Sequence, residues 1–78
     1  MARVRNISRE DRTTGSPHPT EVDARWQVVK GPDGAALFQL STYGSDSRAS
    51  EPKVSQTIQV DKVAAAKLVT LLQQTFNI

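Results

Sequence analysis

The spacing of apolar residues changes period at one residue, Asp61, and this constrains the fold more than any other feature of the chain. Before it, Val54, Ile58 and Val60 alternate with Ser55, Thr57 and Gln59, the period of two of a strand with one buried face; Gln56 is the polar exception on the inner parity. After it, Ala65, Leu68, Leu72 and Phe76 recur three or four residues apart with Ala64 and Leu71 beside them. Lys67, Thr70, Gln74 and Asn77 form the opposite stripe. Asp61 can accept from the first free backbone N–H groups, and its charge suits the positive end of a helix dipole. A strand running directly into an amphipathic helix is therefore predicted for residues 53–78.

Upstream, Val22, Ala24, Trp26 and Val28 alternate with Asp23, Arg25 and Gln27, which predicts a first strand with Trp26 as the core anchor against the helix. Lys30, Gly31, Pro32, Asp33 and Gly34 supply turn residues for a hairpin. The returning strand covers residues 35–43, with Ala36, Phe38, Leu40 and Thr42 on the inner parity and Leu37, Gln39, Ser41 and Tyr43 on the outer. Residues 44–52 are polar and rich in turn formers, so a loop is expected there. The fold class that follows is α+β: a small antiparallel sheet of three or four strands, then one C-terminal helix packed on one face. Residues 1–20 show no sustained period and read as a flexible basic arm, leaving residues 21–78 as a single domain.

A chain of 78 residues with 37% hydrophobic and 5% aromatic residues has little core of its own, and with no cysteine it has no disulfide or thiolate staple. A second copy is the expected substitute, so a homodimer is predicted. No run approaches the roughly 20 apolar residues of a membrane span, and the first residues lack an apolar signal region, so no membrane association and a cytoplasmic location are expected. Charge is unevenly placed. Residues 1–20 carry Arg3, Arg5, Arg9 and Arg12 against Glu10 and Asp11, whereas residues 21–78 hold six basic and six acidic residues.

His18, the one histidine, lies between Pro17 and Pro19, and no acidic cluster stands near it in sequence; neither a metal site nor a catalytic triad can be assembled around it. Tyr43, Ser45, Asp46, Ser47 and Arg48 offer mixed chemistry in one loop without a phosphate-binding glycine motif or paired acids. The expectation is a protein that is not an enzyme and holds no cofactor.

The outer sheet face reads Arg25, Gln27, Leu37, Gln39, Ser41, Tyr43, Ser55, Thr57 and Gln59, a list that suits either a solvated face or a recognition surface. Residues 34–72 resemble the DNA-binding domain of the positive cofactor four family of transcriptional coactivators. The resemblance lies in the apolar run Leu37-Phe38-Gln39-Leu40-Ser41-Thr42-Tyr43, a polar loop, Pro52-Lys53, an alternating strand and an acid-capped helix. It implies a dimer that binds single-stranded DNA along curved sheets. The chain departs from the family in carrying Gly44 where an aromatic follows the tyrosine, and in having only Lys30, Arg48 and Lys53 as its hairpin and pre-strand cations.

The function expected is non-catalytic nucleic-acid binding, with single strands preferred and an accessory role in transcription or replication. Tyr43 would stack on a base, Arg25, Arg48 and Lys53 would meet phosphates, and Arg3, Arg5, Arg9 and Arg12 would add non-specific attraction. The other reading is a small protein-binding adaptor or inhibitor of the kind mobile elements encode, engaging a host protein through the polar sheet face and the 44–52 loop. The neutral body favours the adaptor; the basic arm favours nucleic acid.

Overall fold

A computed structural model describes residues 1–44 and 53–78. The chain forms β1 (Ala2–Val4), β2 (Ala24–Lys30), β3 (Ala36–Tyr43), β4 (Val54–Val60) and α1 (Lys62–Phe76). The strands make one sheet in the order β1-β4-β3-β2. This is the α+β architecture that the periodicity predicts, with one difference. The sheet is mixed, because β1 runs parallel to β4 while β2, β3 and β4 are antiparallel.

Three residues carry too little alternation to announce a strand, and β1 is held by what it meets. Ala2, Arg3 and Val4 pair with Ile58, Gln59 and Val60, covering part of the β4 edge. The Arg3 guanidinium lies 3.6 Å from the Asp61 carboxylate. Val4 and Ile7 are half-buried, so the first residues of the basic segment belong to the sheet.

The hairpin between β2 and β3 follows from its turn residues. Gly34 N–H donates to the Gly31 carbonyl at 2.9 Å, and Ala35 N–H donates to Asp33 Oδ1 at 3.1 Å. Gly34 has φ +80°, a conformation that costs glycine little and an L side chain more. At the same end of the sheet, β4 passes into α1 through Asp61, which has extended backbone and accepts Ala64 N–H on Oδ1 at 2.9 Å. The helix ends at Asn77, whose left-handed φ of 55° lets its N–H reach the Gln73 carbonyl.

Accepting the Ala64 N–H holds the Asp61 carboxyl below its ordinary value, with the Arg3 charge assisting and desolvation opposing. A carboxyl depressed in the folded state stabilises that state above its unfolded pKa, and the contribution is lost as pH falls through the folded value. Helix content followed by circular dichroism should therefore decline in acid below the ordinary carboxylate range, and the decline should be weaker in Asp61→Asn. Asparagine keeps the cap but not the ion pair, so Asp61→Asn should retain the helix at neutral pH where Asp61→Ala loses part of it. Equal helix loss in both variants would show that charge rather than capping is what Asp61 supplies.

The core lies where the helix leaves the sheet. Among the described residues, Leu37 on β3, Val60 on β4 and Ala64 in the first turn of α1 are the buried apolar ones, and α1 packs mainly against β3 and β4. This corrects the expected inner face. Register confirms that Trp26, Leu40 and Ile58 stand in one row and Val28, Phe38 and Val60 in the next. Apart from Val60, that parity is poorly covered: Trp26 is 66% exposed, and Val28, Phe38 and Ile58 are exposed with it. Leu37 and Ser41, on the parity expected to face solvent, are each only 6% exposed. Trp26 is therefore not the core anchor. It stacks on Phe38 with ring centroids 5.6 Å apart.

Candidate nucleic-acid interface

The polar parity of the sheet is organised in rows. Arg3, Gln59, Gln39 and Gln27 lie side by side across β1, β4, β3 and β2, and the next row is Thr57, Ser41 and Arg25. Gln59 Nε2 donates to Gln39 Oε1 at 2.8 Å, and the Ser41 and Thr57 hydroxyls share a hydrogen bond of 3.0 Å. Such cross-strand pairs fix the side chains at a cost small enough for a half-buried face to carry. With Gln39, Thr57 and Gln59 half-buried and Ser41 buried, they satisfy polar groups on the covered side of the sheet.

One row further, the sheet ends in a corner made by the start of β2, the end of β3 and the start of β4. The Arg25 guanidinium carbon sits 4.7 Å from the centre of the Tyr43 ring. Tyr43 N–H donates to the Asp23 carbonyl at 3.0 Å, and Gly44 N–H donates to the Lys53 carbonyl at 3.0 Å, which ties the three strand ends together. The pairing steps from Thr42↔Gln56 to Tyr43↔Val54, so Ser55 is an extra residue on β4. A bulge of this kind bends a strand and re-aims the side chains beside it. Here it sets Val54 opposite Tyr43 and out of the column of Ile58 and Val60, a shift that the plain alternation of β4 conceals.

The expected site residues fall into separate groups. Arg25, Tyr43 and Lys53 come together at the corner. Arg3 belongs to the other end of β4, roughly 17 Å away at about 3.3 Å per residue, and its cation faces Asp61. Arg5 borders a shallow depression with Arg3, Val4, Asn6 and Asp61. Arg9 and Arg12 are exposed in the segment joining β1 to β2. Arg48 and the loop through residue 52 lie outside the described residues.

His18 takes a local role, its Nδ1 accepting Thr20 N–H at 3.1 Å. Among the described residues no three His, Asp or Glu side chains gather as a metal site, and no helix is long and apolar enough to cross a membrane. The residues that sequence reasoning misplaced are Trp26 and Phe38. Their alternation reads as core, and only the small area of sheet covered by α1 shows that it is surface. Comparison with family models, with curated proteins and with solved structures finds no match to this chain, so its likeness to the positive cofactor four family rests on the residues that carry it.

Proposed function

We propose that this protein binds single-stranded nucleic acid without catalysis, as a homodimer, through the corner formed by Arg25, Tyr43 and Lys53. The observation that carries this reading is the guanidinium of Arg25 held 4.7 Å over the Tyr43 ring. A cation over an aromatic face contributes about 0.5–1 kcal/mol at an exposed site, enough to bias both side chains toward one arrangement before a ligand arrives. Flat surfaces then stand ready for a base, and the guanidinium N–H edge stands ready for a phosphate. The resemblance drawn from residues 34–72 implies the same ligand and an accessory role in transcription or replication.

Fluorescence anisotropy of a labelled single-stranded oligonucleotide tests the reading. Binding is expected at low salt, stronger for the single strand than for the matching duplex; no binding at low salt overturns the proposal. The linking segment supplies the counterion part. Changing Arg5, Arg9 and Arg12 together to glutamine should flatten the slope of log affinity against log salt by up to about 2, at about 0.7 per phosphate neutralised on a single strand. An unchanged slope would place the phosphate contacts elsewhere.

The adaptor reading is favoured by a different surface, the exposed apolar face of Trp26, Val28, Phe38 and Ile58. Tryptophan in an apolar patch is a frequent anchor of protein interfaces. Capture of a partner from lysate that survives nuclease treatment and is abolished by Trp26→Ala would support it.

A further inference from the structure

The outermost strand, β2, presents open backbone groups and exposed apolar side chains on the same residues. In an antiparallel ladder every second residue bonds its neighbour and the residues between point the other way. Tyr43 N–H donates to the Asp23 carbonyl at 3.0 Å and Gly31 N–H donates to the Ala35 carbonyl at 2.8 Å. In the register of β2 with β3, these bonds place Arg25, Gln27 and Val29 in the hydrogen-bonded pairs, opposite Ser41, Gln39 and Leu37. The N–H and C=O groups of Ala24, Trp26, Val28 and Lys30 therefore point outward. Among the described residues no strand lies beyond β2 to receive them.

The side chains of those four residues share the apolar parity of the sheet, where Trp26 and Val28 are exposed and the Phe38 ring stacks behind the indole. Edge strands are commonly guarded by a proline, a bulge or a charge set into the open face. β2 has no proline, its register with β3 is unbroken, and Ala24, Trp26 and Val28 place no charge on that face. A row of outward N–H and C=O groups at strand spacing is matched by another extended backbone, and alternate side chains of that backbone would land on Trp26 and Val28.

Charge selects which strand fits. The ionisable residues of Ala24–Lys30 are Arg25 and Lys30, both cationic. Two copies joined edge to edge would bring both cations from each and no anion into one ladder, which opposes self-pairing. Lys30 closes the apolar line and faces the residue directly across from it, a position that suits a carboxylate. Antiparallel pairing is the more stable per residue and sets bonded residues directly opposite each other.

We infer that β2 is a docking edge for an extended peptide of another protein, which runs antiparallel to β2, sets alternate apolar residues on Trp26 and Val28, and carries an acidic residue opposite Lys30. This rests on the adaptor reading of the apolar face and is independent of nucleic-acid binding at the Arg25–Tyr43 corner.

Trp26 is the one tryptophan of the chain, so its emission reports docking directly. The probe is acetyl-Glu-Thr-Val-Thr-Val-Thr-Val-amide, titrated into the full chain. A saturable blue shift is expected, with affinity falling about 2- to 30-fold when Lys replaces Glu, because a cross-strand pair of opposite charges becomes one of like charges. N-Methylation of the first two Val residues, whose N–H groups face β2, should abolish the shift, and N-methylation of the Thr between them should not. Val28→Pro should abolish it as well, with an unchanged circular dichroism spectrum, because the N–H it removes is one that β3 does not use. Should Val28→Pro fail to fold, the methylated peptides decide the matter on the wild-type chain. A shift that survives Val methylation overturns the strand pairing and leaves the adaptor reading of the face standing. No shift up to the solubility limit of the peptide overturns the docking edge, and equal affinity with Lys in place of Glu overturns the acidic residue. A blue shift that grows with protein concentration in the absence of peptide makes a second copy the occupant and overturns the peptide partner.

Discussion

Leu37→Ala should lower the free energy of unfolding by about 2–5 kcal/mol, the range for emptying a buried leucine site. Leu37 is among the few large side chains this fold covers well, being only 6% exposed. Trp26→Ala removes more atoms and should cost less. The indole is mostly exposed and its main partner is the Phe38 ring, so the loss should approach the roughly 0.5–1.5 kcal/mol of an aromatic pair. Urea unfolding of both variants at one protein concentration checks the order. If Trp26→Ala proves the more damaging, the apolar parity is the true inner face and this account of the core is reversed.

The second large effect is on binding. Tyr43→Ala should weaken a single-stranded oligonucleotide by about 1–3 kcal/mol, or about 5- to 150-fold, while leaving the salt slope nearly unchanged. Arg25→Ala should weaken it too, but with the slope reduced by about 0.7 for one lost phosphate contact. Because the Tyr43 ring positions the guanidinium, the double variant should lose less than the sum of the two. Anisotropy titrations at several salt concentrations separate these outcomes. Strict additivity would mean that the two side chains act apart.

Much of the fold was legible because period is a local property. The alternation in β2, β3 and β4, the glycine and proline turn and the Asp61 cap each depend on neighbours within a few residues, and each is found where the sequence places it. The side of the sheet that is covered was not legible. Period two divides side chains between two faces but does not say which face the helix meets, and the rule that apolar residues go inside fails for Trp26 and Phe38. The rule assumes that a chain buries its own apolar surface, and this one does not bury it all. β1 was hidden for another reason: three residues have no period, and the strand depends on an edge offered by residues 58–60. At the site, Arg25 and Tyr43 were each visible as candidates. Their contact was not, since it depends on the antiparallel register that sets them on neighbouring strands. Arg3 looked equivalent to the other arginines until the fold set it against Asp61.

Binding at the Arg25–Tyr43 corner is tested by titrating isotopically labelled protein with a short single-stranded oligonucleotide and following backbone and indole amide resonances. The largest shifts should cluster at Arg25, Tyr43, Gly44 and Lys53, with the side-chain amides of Gln39 and Gln59 and the Trp26 indole still. Shifts centred on the Trp26 indole and Phe38, with the Arg25–Tyr43 corner unmoved, would contradict it.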